Sequence, residues 1–203
     1  MRFYNSVGPN PRVVRMFMAE RGIEIPRVEI DLRGGENRRE PYLSKSPLGQ
    51  MPALELDGGT VLTEITAICE YLDEITPGPS LLGQTPEQRA ETRMWVRRTD
   101  LNIVEPMAQG YRYSNGLKLF QDRIHTIPQA ADDLKQIARK HLAWLDGQMQ
   151  GKQYLCGERF SFADVFLFPF LDFFPTVKQP LDPALNNIAA WIDRMKPRPS
   201  AAA

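Results

Sequence analysis

Residues 46 to 59, SPLGQMPALELDGG, decide the fold. Pro52 stands at the door of an apolar alternating run, Ala53-Leu54-Glu55-Leu56, that reads as a strand, although proline donates no ladder hydrogen bond. Asp57-Gly58-Gly59 then offers the positive φ of a tight turn and Thr60-Val61-Leu62 returns, so the stretch predicts a β-hairpin. On residue type alone Pro52 is an ordinary trans proline ahead of an edge strand, because cis bonds are rare.

Working outward, Phe3-Tyr4-Asn5 is a short strand candidate, and Val28-Glu29-Ile30-Asp31-Leu32 alternates with the period of a half-buried strand. Between them Asn10-Pro11 opens a helix, with Asn10 as cap, Val13, Val14, Phe17 and Met18 on one face, and Gly22 as its stop. A second helix is expected from about Thr63 to Asp73, with Ile65, Ile68, Tyr71 and Leu72 near one side. This order describes an α/β arrangement with mixed strand directions. Thr76-Pro77-Gly78-Pro79-Ser80 breaks the pattern, and everything beyond reads as helix, at about 86–114, 125–149, 161–176 and 184–195. Pro106 and Pro169 should kink or divide two of these. In Phe160-Ser161-Phe162-Ala163-Asp164-Val165, Ser161 can cap, Asp164 can reach back to the cap amide, and Phe160 can pack on Val165.

The 203 residues allow one large or two small domains with a core that needs no disulfide. Acids and bases balance at 25 each without a like-charge run, which recommends neither a nucleic acid nor an anionic membrane as partner. The N-terminus has no secretory apolar region, and the most apolar stretch, FSFADVFLFPFLDFF, is interrupted by Asp164, Pro169 and Asp172. It is too short for a bilayer span of about 20 apolar residues, so a soluble, cytoplasmic protein is expected. Cys69 and Cys156 are far apart and read as reduced, partly buried thiols, and the two His lack partners at metal-ligand spacing, so no metal is expected.

Pro47-Leu48-Gly49-Gln50-Met51-Pro52-Ala53-Leu54, then Leu62-Thr63-Glu64-Ile65-Thr66-Ala67-Ile68, then an all-helical half with a Phe-Ser-x-Ala-Asp cap, resembles the cytosolic glutathione transferases over nearly the whole chain. The resemblance implies a thioredoxin-like glutathione-binding domain at 1–76 (βαβ-α-ββα), a linker at 77–86, an all-helical domain at 87–203, and a homodimer. It also implies that Pro52 is cis, with the Met51 backbone pairing with the cysteinyl backbone of glutathione as an added strand would. Free amides at Ile65 and Thr66 would meet the γ-glutamyl carboxylate while Glu64 pairs with its ammonium group. On residue type alone Glu64 is a first-turn acid complementing the helix dipole. Ile65 departs from the serine frequent there, and Thr66 is expected to substitute in part. Gln50 would reach the polar ends of the tripeptide and Lys45 its glycyl carboxylate, though each is equally consistent with solvated surface. Arg12 and Arg15 are assigned to domain contacts instead.

A thiol of this kind has an unperturbed pKa of about 8.5, so its thiolate must be stabilised at neutral pH. The resemblance places Gly8 where a catalytic serine would sit, a departure that leaves Ser6, Tyr4, the Asn10 carboxamide and the helix-start amides as donors. Asn10 and Ser6 rank ahead of Tyr4, whose strand position suits packing. Met107, Tyr111 and Tyr113 are expected beside a second-substrate pocket, and as an aromatic stripe they equally suit core or dimer contacts. The leading reading is a transferase that directs the glutathione thiolate at a small hydrophobic electrophile. The alternatives are a glutathione-dependent disulfide reductase and a non-catalytic interaction module on the same fold.

Overall fold

The hairpin and the two upstream strands assemble into one mixed sheet in a computed structural model that describes all 203 residues. β1 (Arg2–Asn5) pairs in parallel with β2 (Arg27–Glu29) and antiparallel with β3 (Ala53–Glu55), which pairs antiparallel with β4 (Val61–Leu62). The order is β2-β1-β3-β4. A parallel pair needs a crossover, and α1 (Pro9–Arg21) supplies it. Register places Phe3 opposite both Arg27 and Leu54, and Tyr4 opposite Val28 and Ala53. Phe3 and Leu54 are fully buried, as are Val13, Val14 and Phe17 of α1. Tyr4 and Ala53 join a separate cluster with Ile30, Tyr42 and Met51.

Local signals place most boundaries. Gly22 ends α1 in the left-handed conformation at φ 64°, and Gly59, at φ 84°, donates to Leu56 O to close the hairpin. The start of α1 differs from expectation: Gly8, at φ 110°, is the cap, and Asn10 lies inside the first turn. The strand expected over 28–32 stops at Glu29, because the Leu32 amide turns back to Ile30 O. Between β2 and β3 the helical segment shrinks to one 3₁₀ turn, Glu36–Arg38, entered through Gly35 in the left-handed conformation. The bonds before Pro41 and Pro52 are both cis. α2 (Ile65–Ile75) completes this part of the chain.

Met1–Leu81 and Arg198–Ala203 form one compact unit, and Leu82–Pro197 a second. The sequence reading carried the helical domain to 203, whereas the last six residues group with the first unit. Residues 77–81 are held there by the Arg21–Asp73 ion pair, 3.1 Å long with both side chains almost wholly buried. Arg21 also donates to the carbonyls of Thr76 and Pro79, and Asp73 accepts from the Ser80 hydroxyl and the Leu81 amide.

In the second unit α3 (Pro86–Thr99) starts on a Thr85 cap that accepts from the Gln88 amide. The single helix expected over 86–114 is divided. A π turn at Asp100–Val104 precedes α4 (Glu105–Arg112), and Pro106 sits in the first turn of α4, where its missing N–H costs little. α5 (Leu117–Phe120), α6 (Ala131–Gln148), α7 (Phe162–Phe173) and α8 (Asn186–Met195) follow. α7 runs through Pro169 undivided. Its capping box is complete, and the fully buried Asp164 accepts four hydrogen bonds. Oδ1 takes the Leu155 amide and the Trp191 indole, both at 2.9 Å, and Oδ2 takes the Ser161 amide at 3.0 Å and hydroxyl at 3.1 Å. Burial outweighs these donors and pushes the Asp164 carboxyl up to about 6. Phe162, Phe166, Phe170 and Phe174 stack along the buried side of α7 at centroid spacings of 6.3, 5.6 and 6.3 Å. Cys69 and Cys156 are free and buried.

Candidate functional site

The loop leaving β1 enters α1 through Ser6-Val7-Gly8. Arg15 Nη1 holds it by donating to Asn5 Oδ1 at 2.7 Å and to Ser6 O at 3.2 Å, while Asn5 donates to Glu29. Two expected donors are already committed. The buried Ser6 hydroxyl donates to Ile30 O at 2.8 Å. The Tyr4 hydroxyl donates to Glu55 Oε2 at 2.7 Å, and its ring lies edge-on to Tyr42. Burial, then the hydrogen bond to Glu55 and its charge, raise the Tyr4 phenol above its ordinary value. Each hydroxyl has one proton, and here each proton has an acceptor on the protein.

Asn10 stands differently. Pro9 and Pro11 have no N–H, so among the first three residues of α1 only Asn10 offers a main-chain donor. Asn10 is half-buried, and no intramolecular hydrogen bond claims its carboxamide. Gly8 contributes no side chain. No atom lies within 4 Å of the place a Cβ would take, so its backbone conformation, not crowding, is what favours glycine.

Around Pro52 the chain is held by groups that sequence reasoning missed. Asn37 donates to Gly49 O at 2.6 Å, and Tyr42 donates to Gln50 O at 2.6 Å. Burial pushes the Tyr42 phenol up to about 12, so it stays a donor. Gly49, at φ 62°, passes so near Asn37 that a Cβ would fall 2.7 Å from Asn37 O. No periodicity marks Asn37 or Tyr42 in a charged loop. Met51 and Pro52 are buried and Gln50 is exposed. Lys45 Nζ pairs with Glu55 Oε1 at 2.6 Å, which raises the Lys45 pKa and lowers that of Glu55.

At the start of α2, Glu64 is the cap residue rather than a first-turn acid. It is exposed and left-handed at φ 66°, one of two non-glycine residues with positive φ. No side chain caps this end and no acid occupies the first turn, so the amides of Ile65 and Thr66 have no side-chain acceptor. In the helical unit the expected pocket residues have other neighbours. Met107 is core, with its carbonyl accepting from Gln179. Tyr111 packs edge-on against Phe120 and Phe173, each at 6.1 Å. Tyr113, partly exposed, follows α4 with its amide on Gln109 O. No group of three or more His, Cys, Asp or Glu could hold a metal ion, and no helix is long and apolar enough to cross a membrane.

The mixed sheet with its crossover helix, followed by an all-helical unit, defines a thioredoxin-like protein with a helical companion domain. Residues 7–75 match the family model for the glutathione S-transferase N-terminal domain, and residues 128–194 that for the C-terminal domain. The chain is 31% identical over 200 residues to Glutathione S-transferase 2 of Saccharomyces cerevisiae, covering 95% of this chain and 84% of that protein. The crystal structure of a glutathione S-transferase domain-containing protein from Marinobacter aquaeolei VT8 is similar with a TM-score of 0.92 at 32% identity, covering 99% of this chain and 100% of that one. The structure of Gtt2 from Saccharomyces cerevisiae is similar with a TM-score of 0.90 at 29% identity, covering 100% and 99%. The chain belongs to the glutathione S-transferase family.

Proposed function

We propose that this glutathione transferase binds its co-substrate on the first unit and stabilises the thiolate at Asn10 for attack on a small hydrophobic electrophile. The observation that carries the reading is the start of α1. Pro9 and Pro11 have no N–H and Gly8 has no side chain, whereas Asn10 keeps both a main-chain N–H and an unclaimed carboxamide. A hydrogen bond to a charged acceptor contributes about 1.5–3 kcal/mol, or roughly one to two pKa units. From about 8.5 that brings the thiol near neutrality, enough for a substantial thiolate fraction. The proton leaves to solvent. The sulfur lone pair forms the carbon–sulfur bond, and the leaving group departs with the electrons of the bond that breaks.

The open end of α2 receives the γ-glutamyl carboxylate on the Ile65 and Thr66 amides, with Glu64 meeting the ammonium group. A left-handed non-glycine residue costs about 1–3 kcal/mol, and its persistence at this exposed cap supports a binding role. Met51 and Gln50 contribute main-chain and polar contacts. The working molecule is a cytoplasmic homodimer, and sedimentation showing only monomer at micromolar concentration would contradict that assembly.

Calorimetric titration with glutathione in two buffers of different ionisation enthalpy tests the core of this reading. Saturable binding with buffer-dependent heat is expected, because a proton leaves as the thiolate forms. Asn10→Ala should keep the binding and lose most of the proton release. Equal release in both chains would remove Asn10 from the chemistry.

A further inference from the structure

Residues Arg198–Ala203, which include a 3₁₀ turn at Pro199–Ala202, lie along α1 and grip it near both ends. Arg198 Nε and Nη2 lie 2.8 Å from Glu20 Oε1 and Oε2 respectively, a bidentate pair, and the Ser200 hydroxyl donates to the same carboxylate. Burial alone would raise the Glu20 carboxyl, but the bonds from Arg198 and Ser200 outweigh it and hold it below its ordinary value. At the other end Arg12 Nη2 donates to Ala201 O at 2.6 Å. At 1.5 Å rise per residue the two grips are about 12 Å apart along the helix. Ser200 and Ala201 are buried, so the segment is packed as well as bonded.

Arg12 is two residues beyond Asn10, and its own amide closes the first turn onto Gly8 O at 3.4 Å, long for an N–H···O bond. The first turn is therefore loosely closed from within. From outside it is held by Arg12 on Ala201 and by Arg15 on Ser6 O. We propose that residues 198–203 are a positioning strap for Asn10: they touch no substrate, yet they set the alignment of the donor on which thiolate formation depends. The inference rests on the role given to Asn10 above. Hydrogen bonds weaken steeply when misaligned, so slack in the first turn would be read in the acidity of the bound thiol before it is read in glutathione affinity.

The test uses the full chain with glutathione as probe. Thiolate absorbance against pH gives the apparent pKa of the bound thiol, and calorimetry gives its Kd. Arg198→Ala is expected to raise that pKa by about half to one unit while Kd changes by less than about twofold. Arg198→Lys, which cannot make the bidentate pair, should fall between. In an Asn10→Ala background Arg198→Ala should add nothing. Should Arg198→Ala fail to fold, Glu20→Gln and Ser200→Ala carry the same expectation with a smaller shift. An unchanged thiol pKa in folded strap variants, with a raised one in Asn10→Ala, overturns the strap and leaves Asn10 in place. Equal loss of affinity and acidity in the strap variants overturns it too, as mere destabilisation. An unchanged pKa in Asn10→Ala itself refutes the Asn10 role, and the strap falls with it.

Discussion

Asp164→Ala removes a buried carboxylate whose two opposing contributions can be separated by pH. Its loss strands three buried N–H donors: the Leu155 amide, the Ser161 amide and the Trp191 indole. The Ser161 hydroxyl retains Cys156 Sγ at 3.4 Å. At about 1–3 kcal/mol per stranded donor the gross cost is about 6 kcal/mol. Against it, burial holds the carboxyl at about 6 instead of its ordinary 3.8. That is about two units, or about 3 kcal/mol of charge burial that the alanine chain no longer carries at neutral pH. The expected net loss at pH about 7 is therefore about 3 kcal/mol. The sign of the pH dependence follows from the raised pKa. The native state binds this proton more tightly than the unfolded state, so the contribution of Asp164 is most favourable below 3.8 and is lost as pH rises toward about 6. The alanine chain has no such dependence. The gap between the two chains should thus narrow by about 2 kcal/mol between pH about 4.5 and about 7.5. Urea unfolding followed by tryptophan emission reads the relevant unit, because Trp95, Trp144 and Trp191 all lie in it. A gap that widens as pH rises would mean that four donors outweigh burial, and the reasoning would be wrong.

Gly8→Ser should not reinstate a hydroxyl mechanism. At φ 110° and ψ 168° the position is nearly glycine-only, so about 1–3 kcal/mol of stability should be lost in thermal or urea unfolding with no gain in thiolate at neutral pH. Tyr4→Phe should leave the bound-thiol pKa unchanged, since its proton already belongs to Glu55, and cost at most about 1.5 kcal/mol because Lys45 still pairs with that carboxylate. A raised thiol pKa would return Tyr4 to the mechanism. Asp73→Ala leaves Arg21 buried without its counter-charge and should cost about 3–5 kcal/mol, checked by urea midpoint. Thr66→Val should weaken glutathione binding in calorimetry if its hydroxyl substitutes for the absent serine, and unchanged affinity removes that role.

Local chemistry was legible where one or two turns of chain contain both partners. Ser161 and Asp164 are three residues apart, Gly22 ends the helix it adjoins, and Asp57-Gly58-Gly59 closes a hairpin on its own neighbours, so each signal survives without tertiary context. The partners of Tyr4, Ser6 and Lys45 were not legible, for the opposite reason. A hydroxyl or ammonium in a sequence reads as available until its acceptor is known, and Glu55 lies 51 residues from Tyr4 while Ile30 lies 24 from Ser6. Gly8 and Glu64 were read by type, as an absent serine and a first-turn acid, because φ is a property of the folded backbone.

The sequence by itself determined the succession of elements, the hairpin after Pro52, the helical second half and the family to which these belong, since periodicity, turn residues and caps act over a few residues. Tertiary structure alone decided which donors remain free. It drew Tyr4 and Lys45 onto one carboxylate, turned Glu64 left-handed at the head of α2, and brought Arg198 and Ala201 back onto α1, pairings set by packing across up to 189 residues of chain.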